Sequence, residues 1–319
     1  MSARAATAAR WLFILLAGYY ALFTSGHIDT PDGVVMYEVT RALVDRGELA
    51  FPPLEGSESF GGPEAPAGPD GAPRRYGKYG LGLSLACAPM YGLSRLLLPL
   101  ATPGEQHVFL TPSVQEGRYS WESDTPTDWG DPRSFRRLWY DAGDFELSFG
   151  ALMVSWTNAL IGAGAAALFL LVLTQLGVEV RAATLTALLV GLGSPLWHYA
   201  TVLWSETLAS LLLLLALYAL LRRRAGGGPG WLLLLGLALG YTGLTKIALL
   251  VLGLPLGLAL LPGWRGNPGL ALREAVWVGL GALPPSRWQP PTTSCASGRR
   301  WRRATATRST PGPRPRWRV

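Results

Sequence analysis

The sequence predicts an all-α polytopic membrane protein with about seven transmembrane helices and a large first exoplasmic loop that contains interfacial helices. Hydrophobic residues make up 49% of the 319 residues, charged residues only 15%, and the mean hydropathy is positive. Soluble globular domains carry about 25% charged residues, so this composition excludes an ordinary soluble fold. Several apolar runs approach the ~20 residues that a membrane-spanning helix needs.

The first apolar run, residues 11–26, is uncharged and follows Arg4 and Arg10. Basic residues favour the cytoplasmic side, so the run predicts a first span directed outward from a cytoplasmic N-terminus. A cleaved signal peptide is the alternative. It is the weaker interpretation because no A-x-A cleavage site follows the run.

The next segment, residues 25–147, holds 18 of the 21 acidic residues but only 10 basic ones. Long acidic loops are readily translocated, and we therefore place this one on the exoplasmic side. Residues 79–94 within it are uncharged, yet they include three glycines and Pro89 and end at Arg95. We interpret them as a helix at the outer interface that does not cross the membrane.

Further apolar runs follow at residues 148–176, 182–199, 204–221, 230–245, 247–262 and 270–285. If residues 79–94 stay outside, the basic residues between these runs share the side of Arg4: Arg181, Arg222 to Arg224, Arg265 and Arg273. If they cross, the arginine cluster at 222–224 lies outside. The positive-inside rule favours the first arrangement, which gives seven spans within a membrane domain of residues 1–285.

The C-terminal segment, residues 286–319, has nine arginines, no acidic residue and no apolar periodicity. It cannot bury a core, so we expect a disordered basic tail. A shifted reading frame would explain it, and so would a natural tail that binds anionic lipid headgroups. The rest of the chain has 19 basic and 21 acidic residues, so nucleic acid is not an expected partner.

The residues after the first span predict the start of a helix with an acidic residue in its first turn. Thr30 can act as N-cap, Pro31 as the first helical residue, and Asp32 as a first-turn carboxylate near the positive end of the helix dipole. This structural role alone can account for Asp32. Its place at the outer interface equally suits a general base that meets a hydroxyl-bearing acceptor, and Asp29 is the nearby alternative.

Three stretches together resemble a known family: the acid and tyrosine of residues 32–47, the segment YGKYGLGLSL (76–85), and PLWHYATVLWSETLASLLLLLALYALLR (195–222). Their order and spacing are similar to those of the GT-C membrane glycosyltransferases, especially bacterial relatives of protein O-mannosyltransferases and the lipid A aminoarabinose transferase. The resemblance covers residues 10 to about 285. Relatives continue through several more spans, so we expect this chain to be truncated at its C-terminus.

The resemblance implies transfer of a sugar, with inversion, from a polyprenyl-phosphate carrier to an acceptor glycan, lipid or protein at the outer face of a bacterial plasma membrane. It maps the family's first acid onto Asp32, or onto Asp29, and its second acid onto Glu206. For Glu206 the structural alternative is a first-turn carboxylate on the helix dipole.

Only two lysines occur in the chain, Lys78 and Lys246, and the predicted topology places both at the outer interface. A cation there can stabilise the departing phosphate, while snorkelling from the interface is the plain alternative. Four neighbours of Lys78 can extend this phosphate-binding site: Arg74, Arg75, Tyr76 and Tyr79. His198 lies among aromatic residues that favour an interfacial belt or, less often, stacking on a sugar.

Metal and cofactor signals are weak in this sequence. The three histidines are scattered and show no ligand spacing, so no cofactor is assigned and a divalent cation between the two acids is left open. The two cysteines do not define a disulfide framework. The sequence contains no P-loop and no HExxH motif, so it supports neither a nucleotide site nor a zinc protease. A transporter or lipid flippase, and an inactive truncated remnant, are the alternative functions.

Overall fold

The computed structural model describes residues 2–24, 26, 28, 30–52, 61–68, 71–100, 145–258 and 268–283. Within them the chain is predominantly helical, as predicted. The helices are α1 (Ala3–Phe23), α2 (Pro31–Arg46), α3 (Gly82–Leu97), α4 (Phe145–Gln175), α5 (Val180–Gly193), α6 (Pro195–Thr201), α7 (Ser205–Arg224), α8 (Gly230–Thr245), α9 (Gly253–Leu258) and α10 (Pro268–Ala282). Short 3₁₀ helices extend α3 over Leu98–Leu100 and join α8 to α9 over Ile247–Leu252. The predicted tail and Asp29 lie outside the described residues.

Four helical segments in the described part of the chain are long and apolar enough to cross a membrane. They are Ala3–Phe23, Gly82–Leu100, Phe149–Gln175 and Ser205–Arg224. The bent pair α5–α6 raises the number to five if it forms one span, and α8 is a shorter apolar helix. These lengths support a helical membrane protein, while the number of seven spans stays a prediction.

The core of the bundle forms where α1, α4 and α5 pack closely. Alanines 159, 163 and 166 of α4 and alanines 183 and 187 of α5 are buried together with Leu16 and Tyr20 of α1. Small residues at such interfaces let helix backbones approach and gain dispersion contacts. The Tyr20 hydroxyl donates a 2.7 Å hydrogen bond to the carbonyl of Gly191, which satisfies a buried phenol.

Contacts along these helices fix their directions. A Cβ at Gly162 of α4 would lie 3.3 Å from Tyr20 and 3.4 Å from Thr207, and one at Gly164 would lie 3.7 Å from Leu211. Helices α4 and α7 therefore run in the same sense. Tyr20 lies at Gly162, and residues 9–16 of α1 share a buried cluster with α4 as far as Leu170, so α1 runs against α4. The beginning of α1 and the ends of α4 and α7 thus share one end of the bundle, which carries Arg4, Arg181 and Arg222 to Arg224; we call it the basic end. This grouping agrees with the sequence prediction.

Helix α3 lies at the opposite end and does not return to the basic end. A Cβ at Gly150 of α4 would lie 3.1 Å from the ring of Tyr91, and the first turn of α3 meets the last turn of α8 at Gly82 and Thr245. Since Tyr91 pairs with the early part of α4, α3 leaves the bundle in the direction opposite to α4. Its length and composition allow a span, and its predicted position at the outer interface stays a prediction.

A small sheet that the sequence analysis missed joins α2 to α3. Strands β1 (Ala50–Phe51), β2 (Gly61–Ala65) and β3 (Arg74–Gly77) pair antiparallel in the order β1-β3-β2. The prediction of helices alone in this loop was therefore incomplete. The strands are short, and β2 contains two glycines and a proline, so no alternating pattern marked them.

The predicted span at residues 182–199 is broken. Helix α5 ends at Gly193, and α6 starts at Pro195 with a bend of 60° between them. Proline disfavours a helical residue before it, and Ser194 is extended and caps α6 through its side chain, 3.2 Å from the amide of Leu196. The break leaves α6 near the end of the bundle opposite the basic end, beside Tyr20 and Asn158.

Candidate functional site

The start of α2 places Asp32 as the sequence predicted. The Thr30 side chain accepts a 3.1 Å hydrogen bond from the amide of Gly33, Pro31 is the first helical residue, and Asp32 lies in the first turn. Gly47 ends the helix in the left-handed conformation, at φ 69°. These caps hold the Asp32 backbone at a helix N-terminus, where a carboxylate is electrostatically favoured.

Asp32 is held by Tyr79, a residue 47 positions along the chain. The Tyr79 hydroxyl donates a hydrogen bond to Oδ1 of Asp32, and the Lys78 ammonium lies 5.0 Å from the centroid of the Tyr79 ring. Burial and the bond to Asp32 raise the pKa of Tyr79. The phenol therefore stays protonated at neutral pH and orients one oxygen of the carboxylate.

Glu206 and Lys246 form the second pair. Nζ of Lys246 donates to Oε1 of Glu206, and both side chains are part-buried, at 40% and 29% exposure for the lysine and the glutamate. Glu206 begins α7, and Lys246 directly follows α8. The structure thus brings together two predicted site residues that are 40 positions apart. The Glu206 carboxylate is therefore paired with Lys246, the lysine that was predicted to bind phosphate.

Packing joins the two pairs into a closed ring. A Cβ at Gly33, next to Asp32, would lie 3.0 Å from the carbonyl of Leu203, three residues before Glu206. A Cβ at Gly80, next to Tyr79, would lie 2.5 Å from the carbonyl of Leu244, close to Lys246. Two polar contacts and two backbone contacts therefore connect the starts of α2 and α7, the approach to α3 and the end of α8. We call this set of contacts the polar ring.

Two clefts adjoin the polar ring. One, of about 390 Å³, lies among α4, α5, α6 and α7 and is mostly apolar, with Tyr199, Glu206 and Thr207 at its polar part. The other, of about 160 Å³, lies between α2 and β3 and is lined by Tyr76, Tyr79 and Ser84 among others. Asp32 lines neither cleft. These two clefts therefore do not bring both acids and both lysines into one cavity.

The remaining predicted residues lie around the ring or outside it. Arg75 and Tyr76 belong to β3, and Tyr76 is 41% exposed. His198 is exposed near the end of α6, with its ring centroid 5.6 Å from that of Tyr199. Arg74 is buried, with Nε 3.9 Å from the Glu48 carboxylate, which indicates a structural role.

Asn158 is a supporting residue that sequence reasoning missed. This fully buried side chain projects from α4, and its Nδ2 lies 3.2, 2.6 and 2.8 Å from the carbonyls of Tyr199, Val202 and Trp204. It therefore fixes the hinge between α6 and α7 that carries Glu206. The available signal was an amide inside an otherwise apolar run, since polar groups there seldom lack a role.

Glu38 is a second missed residue. It lies on α2, is 9% exposed, and its Oε1 accepts a 2.8 Å hydrogen bond from Nη1 of Arg41. Burial raises the pKa of Glu38 despite the neighbouring guanidinium. The Tyr91 hydroxyl donates a 2.8 Å bond to Asp45 nearby, so ionic and phenolic contacts join α2 to α3.

Within the described ranges, no group of three or more histidine, cysteine, aspartate or glutamate side chains is placed to hold a metal ion. Comparisons with protein-family models, with curated proteins and with solved structures gave no match for this chain.

Proposed function

We propose that this protein transfers a sugar from a polyprenyl-phosphate-linked donor to an acceptor hydroxyl at the exoplasmic face of a bacterial plasma membrane, with inversion. The polar ring carries the proposal, because it gathers a carboxylate, a phenol and a cation from distant segments at one end of the bundle. The grouping of arginines at the other end supports a seven-span topology with a cytoplasmic N-terminus.

In this reaction Asp32 takes the proton of the acceptor hydroxyl while the acceptor oxygen forms a bond to the anomeric carbon of the sugar. The bond from that carbon to the phosphate oxygen breaks, and polyprenyl phosphate leaves as an anion. Tyr79 orients Asp32 for this step. Lys78 and Lys246 stabilise the leaving group, and Lys246 must exchange Glu206 for the phosphate to do so.

The direct test is transfer of radiolabelled sugar from polyprenyl phosphate in membranes that contain the full chain. Asp32→Asn should abolish transfer without loss of folded protein, because the amide keeps the shape of the side chain but cannot accept the proton. Asp29→Asn should retain transfer. Glu48→Gln is the matched control, since Glu48 pairs with Arg46 and Arg74 away from the ring. Full transfer by Asp32→Asn would refute the assignment.

A transporter or lipid flippase is the second candidate, and the 60° break between α5 and α6 favours it. Transporters bind cargo at broken helices near the middle of the membrane. Here the break lies near one end of the bundle, three residues after Gly191, whose carbonyl binds Tyr20 close to the end of α1. Movement of labelled lipid across vesicles without transfer of its sugar would support this alternative.

A further inference from the structure

Two glycines at the approach to α3 pack directly against the end of α8. A Cβ at Gly80 would meet the carbonyl oxygen of Thr245 first and would lie 2.5 Å from that of Leu244. A Cβ at Gly82 would meet Oγ1 of Thr245 first and would lie 2.9 Å from its Cα and Cβ. Contacts below 3.0 Å essentially never occur for real Cβ atoms, so neither position accepts a side chain without movement. The Tyr241 hydroxyl adds a 2.8 Å hydrogen bond to the carbonyl of Gly82.

This contact lies between the two polar pairs in the chain. Tyr79, which holds Asp32, directly precedes Gly80, and Lys246, which holds Glu206, directly follows Thr245. Thr245 is 2% exposed, and its hydroxyl is already bonded to the Tyr241 carbonyl at 2.8 Å. The contact is therefore buried and rigid, and one peptide bond on each side carries its position to a polar pair.

We propose that Gly80 and Gly82, through their contact with Thr245, are positioning residues that set the spacing between the Asp32–Tyr79 pair and the Glu206–Lys246 pair. The spacing between the two pairs is argued from helix packing and does not depend on the proposed function. Its effect on sugar transfer rests on the proposed function, in which a base on one pair acts on a hydroxyl next to a phosphate held by the other.

The atoms that would obstruct an added Cβ differ between the two glycines: they belong to the backbone at Gly80 and partly to a side chain at Gly82. At Gly80 the obstruction is backbone carbonyl, with the oxygen of Thr245 nearest and that of Leu244 2.5 Å away, so an alanine must displace α3 from α8. Reaching 3.4 Å, where ordinary contact begins, takes a shift of about 1 Å or more. Misplacement of reacting groups by about 1 Å can cost about a hundredfold in rate. At Gly82 part of the obstruction is the Thr245 side chain, so shortening Thr245 should relieve it.

The test measures spacing by dipolar broadening between spin labels at Tyr76 and Ile247, which are 41% and 79% exposed. The background is Cys295→Ser, and Cys87 is buried and inaccessible to the label. Gly80→Ala, Gly82→Ala, Thr245→Gly and the double variant of positions 82 and 245 are compared. Gly92→Ala is the matched control, because a Cβ at this glycine of α3 meets nothing within 4 Å.

We expect Gly80→Ala and Gly82→Ala to change the label spacing and Gly92→Ala to leave it unchanged. Thr245→Gly should reverse part of the change in Gly82→Ala, because it removes Oγ1 and Cβ of Thr245 while the backbone Cα stays in place. Thermal unfolding identifies any variant that fails to fold. One folded glycine variant, Gly80→Ala or Gly82→Ala, is enough to test the spacing. Unchanged spacing in the folded glycine variants, or a change in Gly82→Ala that Thr245→Gly does not reverse even in part, would overturn the proposal. In unlabelled chains we expect the rate of sugar transfer to fall about a hundredfold in the glycine variants whose spacing changes. Absence of transfer in the wild type would refute the proposed function, while the spacing would still decide this inference.

Discussion

At the scale of single residues, each candidate acid is defined by the group that holds it. Asp32 accepts a hydrogen bond from a phenol and Glu206 from an ammonium, so the two carboxylates meet different electrostatic surroundings. A neutral donor orients a carboxylate without neutralising it, which suits a base, whereas a lysine compensates the charge of its partner. These surroundings favour Asp32 over Glu206 as the base.

Tyr79→Phe tests this difference. Removing the hydroxyl deprives one Asp32 oxygen of its donor, and we expect the transfer rate to fall about tenfold or more. Since the pKa of Tyr79 is raised above its usual value of 10.0, wild-type transfer should show no loss from phenol ionisation below that pH. The pH dependence of transfer measures both effects. Tyr19→Phe, in α1, is the control, and equal rates for both variants would contradict the role of Tyr79.

Glu38→Gln tests the buried ionic contact on α2. Because burial raises the folded-state pKa of Glu38, its contribution to stability is present at low pH and is lost as pH rises through that pKa. The wild type should therefore lose more thermal stability than Glu38→Gln as the pH rises above 4.5, the usual pKa of a glutamate. Unfolding temperatures in detergent at several pH values measure this, and parallel pH profiles for the two proteins would show that Glu38 is not responsible.

At the scale of elements, the sequence predicted helix starts better than helix breaks. The Thr30 cap and the first-turn Asp32 followed from local hydrogen bonding, which a short stretch specifies. The bend at Ser194, the small sheet and the polar ring depend on neighbours far along the chain. The pairing of Tyr79 with Asp32 and the contact of Gly80 with α8 could not be read from spacing, since nothing local specifies either partner.

Asn158 offers a test at this scale, because one side chain supports the hinge between two helices. Asn158→Leu should destabilise the protein by about 1–3 kcal/mol in total, because the Tyr199 and Val202 carbonyls keep other donors, the Thr207 hydroxyl and the Trp204 amide. Asn158→Asp should be worse, because it sets a carboxylate against the same carbonyl oxygens. Thermal unfolding and proteolysis at the hinge measure the effect. Ser155→Ala is the control, since the Ser155 hydroxyl donates a 2.7 Å hydrogen bond within its own helix, to the Leu152 carbonyl. Equal stability of Asn158→Asp and the wild type would show that Asn158 does not support the hinge.

At the scale of the whole molecule, charge separates the two ends of the bundle. The arginines in the last turn of α7 share an end with the start of α1, while Asp32, Glu206 and Lys246 lie at the other end. The sequence allowed this grouping to be predicted, because charge bias survives any uncertainty in helix boundaries. The direction of α3 was harder to predict, since an uncharged run of this length is compatible with a span or an interfacial helix, and its course depends on contacts with α4 and α8 that no local pattern specifies.

The central claim is that the polar ring faces the exoplasm, and cysteine accessibility tests it most directly. Single cysteines replace Ala67, which lies in the loop after β2, and Ala225, which follows the arginine cluster; both are exposed alanines, placed in a Cys87→Ala, Cys295→Ser background. In intact cells a membrane-impermeant maleimide should label position 67 and should reach position 225 only after permeabilisation. Labelling of position 225 but not position 67 in intact cells would place the ring in the cytoplasm and contradict the account.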